Sequence, residues 1–151
     1  MTDSLRDFQH SLPMELLRAR EAAMVRFRPV LREHGLTEQQ WRVIRTLADC
    51  GEVDASELAR RSFLLAPSLT RILQFLVKEG LVKRTSDNND QRRLALRLSA
   101  RGQRVFESVG PDSEQRYAEI EAEFGADRLV ALYELLAAFY NTLDRNFLES
   151  D

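Results

Sequence analysis

The stretch "LVKRTSDNNDQRRLALRLSARG", from Leu81 to Gly102, decides how the rest of the chain is read. "LVKRTS" and "RLALRLS" alternate or carry short apolar runs, and "DNND" between them is a run of four polar turn-forming residues. That pattern is a β-hairpin. It carries Lys83, Arg84, Arg92, Arg93, Arg97 and Arg101 against Asp87 and Asp90, in a chain whose formal net charge is -2. An acidic protein that gathers cations on one small hairpin needs a reason for it, and the flanking sequence supplies one.

Upstream, Pro67 suits the first position of a helix, where its missing N–H has no partner to lose. Leu69, Ile72, Leu73 and Leu76 follow at i, i+3, i+4, i+7, and Gly80 ends the helix. Before it, "DASELARRS" offers Asp54 as N-cap of a short helix over Ala55 to Ser62, with Glu57 three residues on. "TEQQW" repeats the device, with Thr37 and Gln40 spaced as a capping box. Its helix is expected to bury Trp41, Ile44, Leu47 and Ala48 and to stop at Gly51. Further back, Ser11 to Glu33 reads as a helix with Leu12, Leu16, Ala19, Ala23, Phe27, Val30 and Leu31 apolar. Pro29 is expected to kink it, and Gly35 to end it.

Downstream, Ser99 is an N-cap for a helix that Gly110-Pro111 is expected to bend or interrupt. A last helix, Asp127 to Phe147, has an apolar stripe too wide for a lone surface helix. The expected fold class is mainly α with a small β-hairpin: a winged helix-turn-helix domain flanked by N- and C-terminal dimerisation helices. The parts are 1–36, 37–100 and 101–151. Packing the two end segments against a symmetry mate would bury their excess apolar surface, giving a homodimer. A monomer with those helices folded back is the alternative.

The charges are segregated along the chain. Residues 60–104 carry a net +8 and residues 105–151 a net -8. The asymmetry favours a polyanionic partner for the middle of the chain, against the plainer reading of a solvated basic face. No run of about 18 apolar residues is present, so no membrane span is expected. The N-terminus lacks the pattern of an export signal, and a lone Cys50 suits a reducing cytoplasm. Cys50 has no neighbouring cation in sequence to lower its pKa and reads as a structural thiol. Two histidines and one cysteine give no metal-ligand spacing, and no cofactor is expected. No catalytic triad, Cys-His pair or phosphate loop is present, and Glu119, Glu121 and Glu123 read as a solvated helix face, so no enzyme is expected.

A helix pair followed by a hairpin is the winged helix-turn-helix arrangement, which binds double-stranded DNA. Its second helix offers a polar face to the major groove and its wing reaches an adjacent minor groove. In the helix from Pro67 that face is Ser68, Thr70, Arg71, Gln74 and Lys78. Arg and Gln bond base edges bidentately, each pair discriminating by about 1–3 kcal/mol; Ser68 and Thr70 suit phosphates or bases. A narrow minor groove favours an inserted guanidinium. Arg92 is read as that side chain, Asp90 as the carboxylate that aims it, and Arg93 as a phosphate contact. The plainer alternative is that Asp90 shapes the turn and Arg92 is solvated.

"AREAAM", "FRP", "LTEQQWRVIRTL", "PSLTRIL", "GLVKR", "NDQRRL" and "LSARG" resemble the MarR family of bacterial regulators. They look most like its branch that represses homoprotocatechuate (4-hydroxyphenylacetate) degradation operons. The resemblance runs from about Leu16 to Gly102. It implies an obligate homodimer built from the first and last helices and a wing arginine at Arg92. Asp90-Gln91-Arg92 departs from the family's frequent Asp-Arg-Arg, Ala66 stands where the recognition helix usually has a serine cap, and Pro111 is unusual in a long dimerisation helix. The resemblance also suggests a small aromatic acid as inducer, bound between the dimerisation helices and the DNA-binding lobe. Arg20 would take its carboxylate, with Arg18, Arg28, Arg42 and Arg45 as competitors. Trp41 and Met24 would meet its ring, and His10 or His34 a phenol. Trp41 also reads as a core residue, and each arginine as a surface ion pair.

The expected function is a ligand-responsive repressor of an aromatic-catabolic operon, released from a pseudo-palindromic operator by its effector. A winged-helix module that binds protein, or a DNA-binding protein without ligand response, remains the alternative. Salt dependence of duplex binding separates the DNA and protein readings, with a log–log slope of roughly -0.9 per phosphate neutralised.

Overall fold

Thr37 and Gln40 close the capping box: the Thr37 hydroxyl accepts from the Gln40 amide at 3.1 Å, and the Gln40 side chain accepts from the Thr37 amide at 3.0 Å. From that start α2 runs Glu38–Cys50 and ends at Gly51, where φ is +72°. The structure, a computed structural model, describes residues 5–87 and 90–143, with the side chains at 87 and 90–93 excepted. After a short 3-10 turn at Phe8–His10, α1 spans Leu12–Glu33 and contains Pro29. Asp54 caps α3, Ala55–Ser62, by accepting from the Glu57 amide at 2.8 Å.

Helix α4 spans Ala66–Lys78, and its cap falls on Leu65, which offers no side-chain hydrogen bond. The expected cap at Ala66 is therefore corrected by one residue, and Pro67 sits second in the first turn. Strands β2, Val82–Asp87, and β3, Asp90–Leu98, pair antiparallel from Val82 opposite Leu98 to Asp87 opposite Asp90. Both aspartates of "DNND" thus belong to the ladder rather than the turn. Sequence periodicity gave no sign of a third strand, β1 at Val53–Asp54, which pairs with Leu96 and Ala95 to give the order β1-β3-β2. Two residues are too few to show alternation; the strand exists because β3 presents an edge for them.

Helix α5 runs Ala100–Phe124 through Gly110 and Pro111 without a break, against the expected interruption. Pro111 forfeits one backbone hydrogen bond. Packing against α1 offsets that loss, since Val109 and Ser113 on either side of it are buried. Gly125, at φ +104°, turns the chain into α6, Ala126–Leu143; the expected continuation to Phe147 lies outside the described residues.

Val43, Ile44, Leu47, Leu58, Leu69, Leu73, Leu76 and Leu96 form the centre of the core, joined by Leu31 from α1 and Val109 from α5. Val43 takes the fully buried place expected of Trp41, which is half-buried at the core's edge; Ala48 and Ile72 are likewise only partly covered. The arms behave differently. In α1 only Val30 and Leu31 are buried, while Leu12, Leu16 and Leu17 are open to solvent. In α6 no residue is buried, and Leu135, Tyr140 and Leu143 are each more than half exposed. Among the described residues no helix is long and apolar enough to cross a membrane.

Candidate nucleic-acid interface and effector cleft

The burial of Leu69, Leu73 and Leu76 turns the opposite face of α4 to solvent, and Ser68, Thr70, Arg71, Gln74 and Lys78 are all exposed. Pro67, Arg71, Gln74 and Lys78, at i, i+4, i+7 and i+11, lie along the middle of that face. Thr70 is less available as a donor than expected, because its hydroxyl donates to the Ala66 carbonyl at 3.0 Å. On the hairpin Lys83, Arg84 and Arg97 are exposed. Asp90, Arg92 and Arg93 have their backbone in β3, beyond the Ser86–Asp87 irregularity; their side chains lie outside the described residues.

The basic block is weaker than its formal charge. Arg60 and Arg61 both bond Glu57, at 2.5 and 2.6 Å, and the pair holds the Glu57 carboxyl down to about 2. Among the described residues Arg71, Lys78, Lys83, Arg84 and Arg97 make no ion pair. With Arg101 and Arg104 at the start of α5, also without an ion pair, the unpaired cations run along α4, the wing and the first turns of α5.

A cleft of about 380 Å³ opens where α1, α2 and α5 meet, between the arms and the reading head. It brings together Arg20 and Met24 of α1, Trp41 and Arg45 of α2, and Tyr117 of α5. Phe27 and Tyr117 pack with ring centroids 4.7 Å apart, and Trp41 stacks on Phe106 at 5.8 Å. Burial pushes the Tyr117 phenol up, against a smaller opposing pull from Arg45, so it stays a hydrogen-bond donor at neutral pH.

The two arginines differ. Arg20 is engaged, donating to Glu38 at 2.7 Å with Glu21 at 3.5 Å. Glu38 also accepts from Arg28 at 2.9 Å. Burial raises the Glu38 pKa, but these bonds from Arg20 and Arg28 outweigh it and hold the carboxyl below its usual range. Arg45 instead keeps its Nε buried without a hydrogen-bond partner, with the Asp49 carboxylate 3.8 Å away. Both arginines line the cleft, and Arg45 has the longer and weaker ion pair of the two.

His10 lies apart from this cleft, at the N-terminal turn, where its Nδ1 is 2.6 Å from Asp7. His34 faces Asp112 at 3.3 Å. Sequence reasoning missed Phe27, Glu38 and Tyr117 as cleft residues. Tyr117 was obscured by the interruption expected at Pro111, which detached it from the helix that carries it to the cleft. A second cleft between α1 and α5 is lined by Arg26 and Arg116. It has no aromatic wall, and Glu123 and Glu119 already pair those two cations.

A helix pair leading into a three-stranded wing, carried between apolar arms, defines a winged helix-turn-helix protein. The model of the MarR family matches residues 36–94, the span from the turn before α2 into β3. The HTH-type transcriptional regulator FarR of Neisseria gonorrhoeae is 44% identical over 84% of this chain and 87% of its own. The homoprotocatechuate degradative operon repressor of Escherichia coli is 45% identical over 85% and 87%. Among solved structures, NadR in complex with 4-hydroxyphenylacetate superposes with a TM-score of 0.76 at 42% identity, covering 90% of this chain and 96% of that one. This chain belongs to the MarR family, and it is a transcriptional regulator.

Proposed function

We propose that the chain is a dimeric repressor of an aromatic-compound catabolic operon, held on a pseudo-palindromic operator and released by a small aromatic acid in the α1–α2–α5 cleft. Arg45 takes the acid's carboxylate. Trp41, Met24 and Phe27 flank its ring, and Glu38 or Tyr117 bonds a ring hydroxyl. Arg20 acts as the partner of Glu38, and the acid stays outside the reach of His10 within one protomer. The observation that carries this reading is a cleft of ligand size that gathers the cations Arg20 and Arg45 with the aromatic side chains Phe27, Trp41 and Tyr117. The names of the Escherichia coli relative and of the solved NadR complex support it.

On the DNA side Arg71, Gln74 and Lys78 read or grip the major groove, with Ser68 beside them, and Arg92, aimed by Asp90 and flanked by Arg93, enters the minor groove. Residues 1–36 and 101–151 form the dimer arms and 37–100 the reading head. Their exposed Leu12, Leu16, Leu135 and Leu143 become buried against a second copy. The protein works in the cytoplasm by binding alone, without catalysis. Because the cleft sits at the junction of arms and head, a ligand there changes the spacing of the two heads; a tenfold loss of operator affinity needs only about 1.4 kcal/mol of coupling. The test is a gel-shift titration on the DNA upstream of the gene, repeated with phenylacetates, benzoates and cinnamates. Release by one class at micromolar to millimolar concentration is expected; shifted bands that ignore every acid would remove the effector from the reading.

A further inference from the structure

The leading end of α4 exposes three apolar residues in a row, Leu65 to Pro67, ahead of the polar Ser68, Arg71, Gln74 and Lys78. Leu65, at the cap, is 78% exposed and makes no side-chain cap hydrogen bond. Ala66 and Pro67 follow and are exposed too. Pro67 lies on the same line as Arg71, Gln74 and Lys78, and Leu65 and Ala66 stand exposed just before it at the leading end of the helix. The core does not need these residues, because Leu69, Leu73 and Leu76 already fill it. Thr70 adds to the same character, since its hydroxyl proton is committed to the Ala66 carbonyl and its methyl remains.

The N-terminal residues of a recognition helix are those that meet base edges. The major groove offers one apolar feature there, the C5 methyl of thymine, which other bases lack. We infer that Leu65, with Ala66, Pro67 and the Thr70 methyl, forms a thymine-methyl contact that selects T·A at a fixed position in each operator half-site. Arg71 and Gln74, further along the helix, then read the neighbouring pairs. The inference rests on the proposed DNA-binding function and adds to it a base preference carried by packing rather than hydrogen bonds.

The test uses the full-length protein. Duplexes are first selected from a randomised library, and the selected consensus is resynthesised with deoxyuridine in place of each thymidine in turn, removing one methyl at a time. For the wild-type chain, one or two positions per half-site should lose about fourfold in affinity each, the worth of burying one methyl-sized group. In Leu65→Ala that penalty should shrink toward none, while the salt slope, set by phosphate contacts, stays as it was. Thr70→Ser, which keeps the hydroxyl and removes the methyl, should reduce it in part. Circular dichroism confirms folding, and neither side chain is buried. Wild-type protein that binds every deoxyuridine duplex as tightly as its thymidine parent overturns the inference and leaves the functional reading standing. A full penalty persisting in Leu65→Ala overturns it as well. A selection that enriches no sequence at all overturns both.

Discussion

Gly102, in the first turn of α5, lies so close against the Leu81 backbone that a Cβ on it would overlap the Leu81 carbonyl. Around this contact Ser99 donates through its hydroxyl to the Gly80 carbonyl at 2.5 Å and accepts from the Gly102 amide at 3.0 Å. The Ser99 amide donates to the Leu81 carbonyl at 3.0 Å. Gly80 and Leu81 follow the α4 cap at Glu79, so the first turn of α5 meets, backbone to backbone, the loop by which the chain leaves the recognition helix. This contact is the place where a shift of α5 would press on that loop.

Gly102→Ala should force that contact apart and destabilise the protein by about 1–3 kcal/mol, the usual cost of overpacking. Thermal unfolding measures it. An unchanged midpoint would mean that the contact of Gly102 with Leu81 is loose, and the coupling proposed between arms and head would lose this route.

Arg45→Ala should leave operator binding within about twofold and weaken the response to an aromatic acid by roughly 10- to 100-fold. That is the loss of a charge-assisted hydrogen bond worth about 1.5–3 kcal/mol. Arg20→Ala should act more weakly, since Arg20 already serves Glu38. Effector titrations of the preformed complex compare the two. A larger effect from Arg20 would restore it as the anchor and displace Arg45.

Arg92→Ala should weaken operator binding by about 1–3 kcal/mol without dissociating the dimer. Its log–log salt slope should also flatten. Equal affinity for wild type and variant, read by fluorescence anisotropy, would take the wing arginine out of the mechanism.

Glu57 provides a pH signature. Its folded carboxyl, held at about 2 by Arg60 and Arg61, lies below an unfolded value near 4.5. A depressed carboxyl contributes stability that is complete above about pH 4.5 and drains away as the pH falls toward 2. Wild type should thus exceed Glu57→Gln in urea midpoint at pH 6, and the gap should narrow between pH 4.5 and 3. A gap that stays constant over that interval would mean the ion pairs add nothing to stability.

Every feature legible in the chain itself is a short-range one. The capping pairs Thr37/Gln40 and Asp54/Glu57, the Leu69–Leu76 spacing, the hairpin and the uneven charge are written within a few residues, because caps, helical faces and ladders form between near neighbours. They determined the winged head, the exposed reading face of α4 and the apolar arms. Long-range contacts decided the rest. Pro111 stays inside α5 because packing against α1 outweighs one missing hydrogen bond, which also carries Tyr117 to the cleft. The strand at Val53–Asp54 exists only where β3 offers it an edge. Arg45 and Arg20 look alike as letters; Glu38 lies eighteen residues from Arg20 and accepts from it at 2.7 Å, while Arg45 has only Asp49 at 3.8 Å. Which cation is free to bind depends on who its neighbours are in space, and only the folded chain assigns them.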